Sequence, residues 1–407
     1  MTRTAERHLE RDVGRGATDS EPLLVVEDLR THFIVPAGAV KAVDGVSLSL
    51  QRGKTLGVVG ESGSGKTILS RSIMGLNVVP NAVTTGSVRY AGMELVGQSP
   101  KQMKHLWGVE MAMVFQDPMT SLNPVVKVGR QLTEHVRQHL GMDKKQAKEV
   151  AIELLRSVRI PEPEARFDNY PHQMSGGMRQ RVCIAIALAC GPKMLFADEP
   201  TTALDVTVQH QILNLLAAQQ RDRFMTMIMV THDLGVVAGR TDDIAVMYAG
   251  KIVEKAPTAT LFAEMKHPYT QALLFSIPKT SQPKHTRLSA IAGRPPDLIS
   301  PPPGCKFAPR CPYAQDRCRE EEPQLRAADL SGHEFACHFP IGTPENDEAF
   351  RRNLAAGVPQ TLAAAGRLQA TDDLSALEAQ AMHADLADLT AADSTTRYGA
   401  DQHGVDR

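Results

Sequence analysis

At 407 residues the chain has room for two or three domains, each with its own core. It is 42% hydrophobic and 22% charged, and its formal net charge of −1 gives no electrostatic argument for binding nucleic acid. Aromatic residues make up 4%, leaving little surface on which bases could stack.

The N-terminal segment MTRTAERHLERDVGRGATDSEP is polar throughout and lacks the apolar stretch of a secretory signal. Residues 1–22 are expected to be a flexible tail. No run of about 18 apolar residues suggests a membrane span. A cytosolic setting follows, in which structural disulfides are rare and clustered cysteines point to metal before crosslinks.

Residues 23–115 read as strands, a phosphate-loop helix and a small antiparallel sheet, with a hairpin at GSVRYAGMELVG. TLGVVG has the apolar run of a buried parallel strand, and KTILSRSIMGL reads as a helix. The residues joining them, Gly60, Glu61, Ser62, Gly63, Ser64, Gly65, Lys66 and Thr67, fit the pattern G-x-x-x-x-G-K-[ST]. Glycines let the backbone close around phosphate, and successive N–H groups with a helix N-terminus then face the anion. Lys66 supplies a point charge for the β- and γ-phosphates, and the Thr67 hydroxyl suits Mg²⁺. This motif alone does not choose among kinases, GTPases and transport ATPases.

From DPMTSLNPVVKVGRQLTEHV to about Arg166 the pattern turns helical, and Val150, Ile152, Leu154, Leu155 and Val158 recur at helical spacing. Further on, MLFADEPTTALD carries an apolar strand ending in Asp198 and Glu199. Asp198 is placed to hold Mg²⁺ and Glu199 to orient or deprotonate an attacking water.

Between these motifs, PHQMSGGMRQRVCIAIALA places Ser175, Gly176, Gly177 and Met178 at the head of a helix. Here the sequence resembles the ATP-binding subunits of ABC transporters, whose signature usually reads LSGGQ. Met174 and Met178 depart from that form, and SGGM followed by R-Q-R resembles one ATPase subunit of the oligopeptide and dipeptide importers. The resemblance covers about Leu23 to His267. It implies a Q-loop at Gln116, which also reaches Mg²⁺, and a D-loop ending in Asp205. It further implies a switch histidine at His232 and an adenine-stacking aromatic at Phe33.

The implied fold is α/β: a P-loop NTPase (RecA-like) core, an antiparallel β subdomain and an α-helical subdomain at about 117–190. The ATPase domain would span 23–265, with a small cysteine-rich C-terminal domain at 266–340. The implied function is hydrolysis of ATP with Mg²⁺ to power peptide import, on the cytoplasmic face of the cell membrane as a peripheral subunit. Partners would be a second, homologous ATPase subunit, two membrane-spanning permease subunits and an external substrate-binding protein, with no nucleic acid. Rival readings are an importer of another small solute such as nickel, a non-transport ABC ATPase, and a scaffold with an idle ATPase.

HPYTQALLFSIPK and AGRPPDLISPPPGCKFAPRCPYAQDRC also resemble the C-terminal region of peptide-importer ATPases. Cys305, Cys311, Cys318 and Cys337 are separated by five, six and eighteen residues. Structural zinc usually shows shorter gaps within each pair. Four soft ligands on irregular loops favour a [4Fe–4S] cluster, with zinc as the alternative and no metal as the third reading. Cys183 and Cys190 on the signature helix read as small core residues. Residues 341–407 read either as a tail containing one amphipathic helix around 374–389 or as an alanine-rich disordered segment.

Overall fold

The computed structural model describes residues 21–202, 204–277, 291–330 and 332–355. Its strands, in chain order, are β1 (Leu24–Val35), β2 (Gly38–Leu50), β3 (Thr55–Val59), β4 (Ala82–Tyr90), β5 (Met93–Glu94), β6 (Met111–Val114), β7 (Met194–Asp198), β8 (Thr226–Thr231), β9 (Asp243–Tyr248), β10 (Lys251–Pro257), β11 (Arg326–Ala327) and β12 (Glu334–Phe335). The helices used below are α1 (Lys66–Ile73), α2 (Val128–Leu140), α3 (Lys144–Ser157), α4 (Gly176–Leu188), α5 (Val206–Asp222), α6 (Pro268–Phe275) and α7 (Pro344–Ala355).

One sheet has four antiparallel strands in the order β2-β1-β4-β5. The other has eight, in the order β11-β12-β10-β9-β3-β8-β7-β6. Its β9-β3-β8-β7-β6 segment is parallel throughout. β3, β7 and β8 are buried along their whole length, as strands of a parallel sheet covered on both faces must be.

Alternation along these strands feeds two cores. Leu56, Val58, Phe196, Ile228 and Val230 face the antiparallel sheet and α1, with Leu24, Val43, Leu48 and Leu69. Val59, Leu195, Ala197, Met227 and Met229 face the helical region instead. There α2 buries Val128, Leu132 and Val136, one stripe at four-residue spacing. It ends at Gly141, whose φ of 65° is the left-handed stop that glycine supplies. A capping box of Asp143 and Gln146 then starts α3, whose Ala147, Val150, Ala151, Leu154 and Leu155 fill the same core. Cys183 and Cys190 are buried in the helical region, as small core residues should be.

The region expected as a small cysteine-rich domain is not set apart from the ATPase body. β12 pairs antiparallel with β10, and β11 with β12, so the C-terminal segment lengthens the main sheet. The physical reason lies at Glu254 on β10, which is fully buried. Its carboxyl accepts from the backbone N–H of Lys266 (2.5 Å) and His267 (3.0 Å), and lies 2.8 Å from His333 Nε2. α7 is also absent from the sequence-based reading, although Pro at its first position and acidic residues in its first turn mark its start. The helix anticipated around 374–389 lies outside the described residues.

Candidate active site

The phosphate loop leaves the end of β3 and enters α1. Gly65 caps that helix at φ 102°, and a Cβ there would meet the Ala42 carbonyl oxygen at 2.1 Å. A Cβ on Gly60 would meet the Met247 carbonyl oxygen at the same distance. Both positions therefore need glycine for reasons of space, and Gly65 for its backbone as well.

Lys66 is buried, and its ammonium donates to the carbonyls of Gly60 (2.7 Å) and Glu61 (2.9 Å). Burial pushes its pKa down, against the pull of Glu199, Asp198 and Glu61. The buried Ser64 hydroxyl has no hydrogen-bond partner among the described residues, as befits a polar group facing a ligand site. Loop, helix start, lysine and orphaned hydroxyl together suit a polyphosphate.

Asp198 and Glu199 stand at the end of β7, beside β8 and two strands from β3. Thr67 Oγ1 donates to Asp198 Oδ1 at 3.0 Å, so the two oxygen donors expected at Mg²⁺ already adjoin. These are hard oxygen ligands of the kind Mg²⁺ takes with substrate phosphate. Burial raises the Asp198 pKa, and a cation would reverse that effect.

Glu199 is the hub of the site. Its Oε2 accepts from Gln116 Nε2 (2.9 Å) and Thr202 Oγ1 (3.0 Å) and lies 3.4 Å from His232 Nδ1. Its Oε1 is 4.0 Å from Lys66 Nζ. The His232 contact holds the Glu199 pKa down, and Glu199 in turn raises that of His232. Gln116, Glu199 and His232, predicted from three separate stretches of sequence, thus meet at one carboxylate. Thr202, read from the sequence only as the first residue of the D-loop phrase Thr202–Asp205, also bonds this carboxylate, and its place three residues after the acid was a usable signal.

Ser175 caps α4 by accepting from the Met178 N–H at 3.3 Å, and Asp205 caps α5 by accepting from the Val208 N–H at 2.9 Å. Both caps are exposed. They share one surface, since a Cβ on Gly177 would meet Val208 at 2.7 Å and one on Gly176 would touch Leu204. Met178, the last residue of the signature, is half-buried and packs its side chain against the helical core. Phe33 lies half-buried in β1, in register with Val40 and Ala82.

Cys305, Cys311, Cys318 and Cys337 line one small cavity with Phe307, Tyr313 and other residues. All are free thiols. Burial pushes their pKa values up, to about 11 for Cys305 and about 12 for Cys337, and neighbouring thiols add to the effect at Cys305, Cys311 and Cys337. Among the described residues, no three His, Cys, Asp or Glu side chains are gathered closely enough to hold a single metal ion.

Three comparisons place this geometry among known proteins. The model of the family "ABC transporter" matches residues 43–202, and that of the "oligopeptide/dipeptide transporter, C-terminal region" matches 253–318. The dipeptide transport ATP-binding protein DppD of Haemophilus influenzae is 48% identical over 324 residues, covering 80% of this chain and 97% of that protein. The oligopeptide transport ATP-binding protein OppD of Bacillus subtilis is 49% identical over 304 residues, covering 74% of this chain and 85% of that one. Among solved structures, the ATP-binding cassette MJ0796, a dimer bound to ADP and Pi, superposes with a TM-score of 0.53 at 24% identity, covering 58% of this chain and 98% of its own. That last likeness concerns the fold.

Proposed function

The chain belongs to the ABC transporter family, with the ATP-binding subunits of dipeptide and oligopeptide transporters, and on that premise we propose that it hydrolyses ATP to drive import of peptides. The observation that carries the catalytic reading is the meeting of Gln116, Thr202 and His232 at the Glu199 carboxylate, within 4.0 Å of Lys66. Loop 60–67 and Lys66 hold the triphosphate. Glu199 takes a proton from the attacking water as its oxygen bonds to the γ-phosphorus, and the bond to the bridging oxygen breaks to give ADP and phosphate. His232 and Gln116 keep the carboxylate aimed. Thr67 and Asp198, with Gln116, would hold Mg²⁺, which neutralises phosphate charge when bound.

The exposed caps of α4 and α5 support a role outside this chain's own site. Ser175, the glycine N–H groups and the helix start form a second anion-binding surface, which we assign to the nucleotide of a second, homologous ATPase subunit. Two permease subunits and an external substrate-binding protein complete the assembly, with this subunit on the cytoplasmic face. Consistent with a peripheral subunit, no helix among the described residues is long and apolar enough to cross a membrane.

The four thiols are assigned to a [4Fe–4S] cluster. Their shared cavity supports this reading. The cluster would be a staple of the C-terminal region, away from the chemistry.

Glu199→Gln in the complex reconstituted in vesicles tests the function. ATP binding should persist while turnover and uptake of labelled peptide stop. Unchanged turnover would remove Glu199 as the base, and ATP-driven uptake of another solute in place of peptide would overturn the transport reading.

A further inference from the structure

Glu61 is the second residue of the phosphate loop, and the C-terminal region grips it twice. Its backbone N–H donates to Tyr269 Oη at 2.8 Å. Its carboxylate accepts from both arms of Arg310, Nη1 to Oε2 at 2.6 Å and Nη2 to Oε1 at 2.9 Å. Arg310 is itself fixed. Its side chain is 3% exposed, its Nε donates to the Ala292 carbonyl at 2.8 Å, and Nη1 lies 3.3 Å from the Tyr248 hydroxyl. Tyr269 is fully buried, 4.5 Å from the Tyr248 ring and 5.3 Å from that of Phe307. Loop residues Ser62–Ser64 line one small gap together with Pro295, Pro296 and Leu298.

A planar guanidinium forked onto a carboxylate fixes orientation as well as distance. The held residue matters to phosphate binding. The Glu61 carbonyl accepts from the Lys66 ammonium (2.9 Å) and from the Ser64 N–H (3.1 Å), so moving Glu61 moves the loop's lysine and its turn.

We propose that Arg310 and Tyr269 are positioning residues for ATP binding, an intramolecular brace through which the C-terminal region sets the conformation of the phosphate loop by way of Glu61. Arg310 closes the short 3-10 turn Ala308–Arg310, and the next residue is Cys311. The inference rests on the reading of loop 60–67 as the ATP site.

The test is equilibrium binding of a fluorescent ATP analogue to the full chain, for the parent, Arg310→Gln, Glu61→Gln and the double variant. Thermal melting serves as the fold control. Loss of the fork should weaken binding about tenfold in each single variant, or about 1.4 kcal/mol. The double variant should be no weaker than either single one, because both remove the same contact. Arg310→Lys should recover only part of the affinity. In turnover assays of the complex, the loss should fall on KM for ATP more than on kcat. Parent-like affinity in Arg310→Gln, or additive losses in the double variant, would overturn the brace. If Arg310→Gln does not fold, Glu61→Gln with Tyr269→Phe carries the same test. A parent chain that binds no ATP would instead overturn the underlying assignment of the site.

Discussion

Replacing Glu254 by Ala should detach the C-terminal region from the sheet it extends. The carboxyl is fully buried and satisfies the backbone N–H groups of Lys266 and His267 and the ring of His333. Alanine would leave two amides and a buried imidazole nitrogen without an acceptor. A buried donor so stranded costs about 1–3 kcal/mol, and local relaxation reduces the sum, so the net loss is about 4 kcal/mol. For a chain of this size, at about 2.1 cal/mol/K of unfolding entropy per residue, each kcal/mol lowers Tm by about 1.2 °C, giving a drop of about 5 °C. Glu254→Gln keeps one acceptor oxygen and should lose about half as much. Thermal melting followed by circular dichroism reads the shift, and hydrogen exchange at the Lys266 and His267 amides locates it. A shift below about 2 °C, with both amides as protected as in the parent, would refute the idea that this carboxyl ties the region down.

His232→Ala should keep ATP binding but lower turnover at least about 100-fold, as loss of a group that aims the base would, measured by phosphate release. In the nucleotide-free chain the His232–Glu199 contact should also leave a signature in stability against pH. The folded pKa of His232 lies above its ordinary 6.5, so its share is complete below 6.5 and fades as pH rises through the raised value. That of Glu199 lies below its ordinary 4.5, so its share is complete above 4.5 and fades as pH falls through the lowered value. The parent should exceed His232→Ala in urea midpoint most between those two pH values, and the difference should shrink above and below them. Gly65→Ala should abolish nucleotide binding, because the new Cβ would sit 2.1 Å from the Ala42 carbonyl oxygen. Anaerobic purification with the membrane subunits should yield about four irons and four sulfides per chain, lost in Cys311→Ser, by metal and sulfide analysis.

The ATP-handling part of the molecule was legible because its signals are local. Loop 60–67 follows a strand and opens a helix within a dozen residues, and each of Gln116, Glu199 and His232 sits in a short phrase at the end of an apolar strand. Stripes such as Val128, Leu132 and Val136 announce buried helix faces in the same way. The attachment of the C-terminal region had no such signal. Arg310 and Glu61 are 249 residues apart, Lys306 and Asp44 are 262 apart, and each reads locally as an ordinary charged residue. The spacing of the four cysteines suggested shared chemistry but could not show that they line one cavity, since proline-rich loops carry no periodicity.

Glu199 occupies the left-handed region at φ 44°, with its N–H tied to the Val230 carbonyl at 3.0 Å. An L-residue there bears about 1–2 kcal/mol of backbone strain that glycine would not. Glycine's larger unfolded-state freedom offsets much of that gain. Removing the side chain also forfeits its contacts with Gln116, Thr202 and His232, so a library of variants ranked by heat resistance alone should show little preference between glutamate and glycine here. The same library ranked by growth on peptide should reject glycine. At such a position fold stability says little and the proposed chemistry decides, so the two rankings of one library separate a requirement of the polypeptide from a requirement of its work.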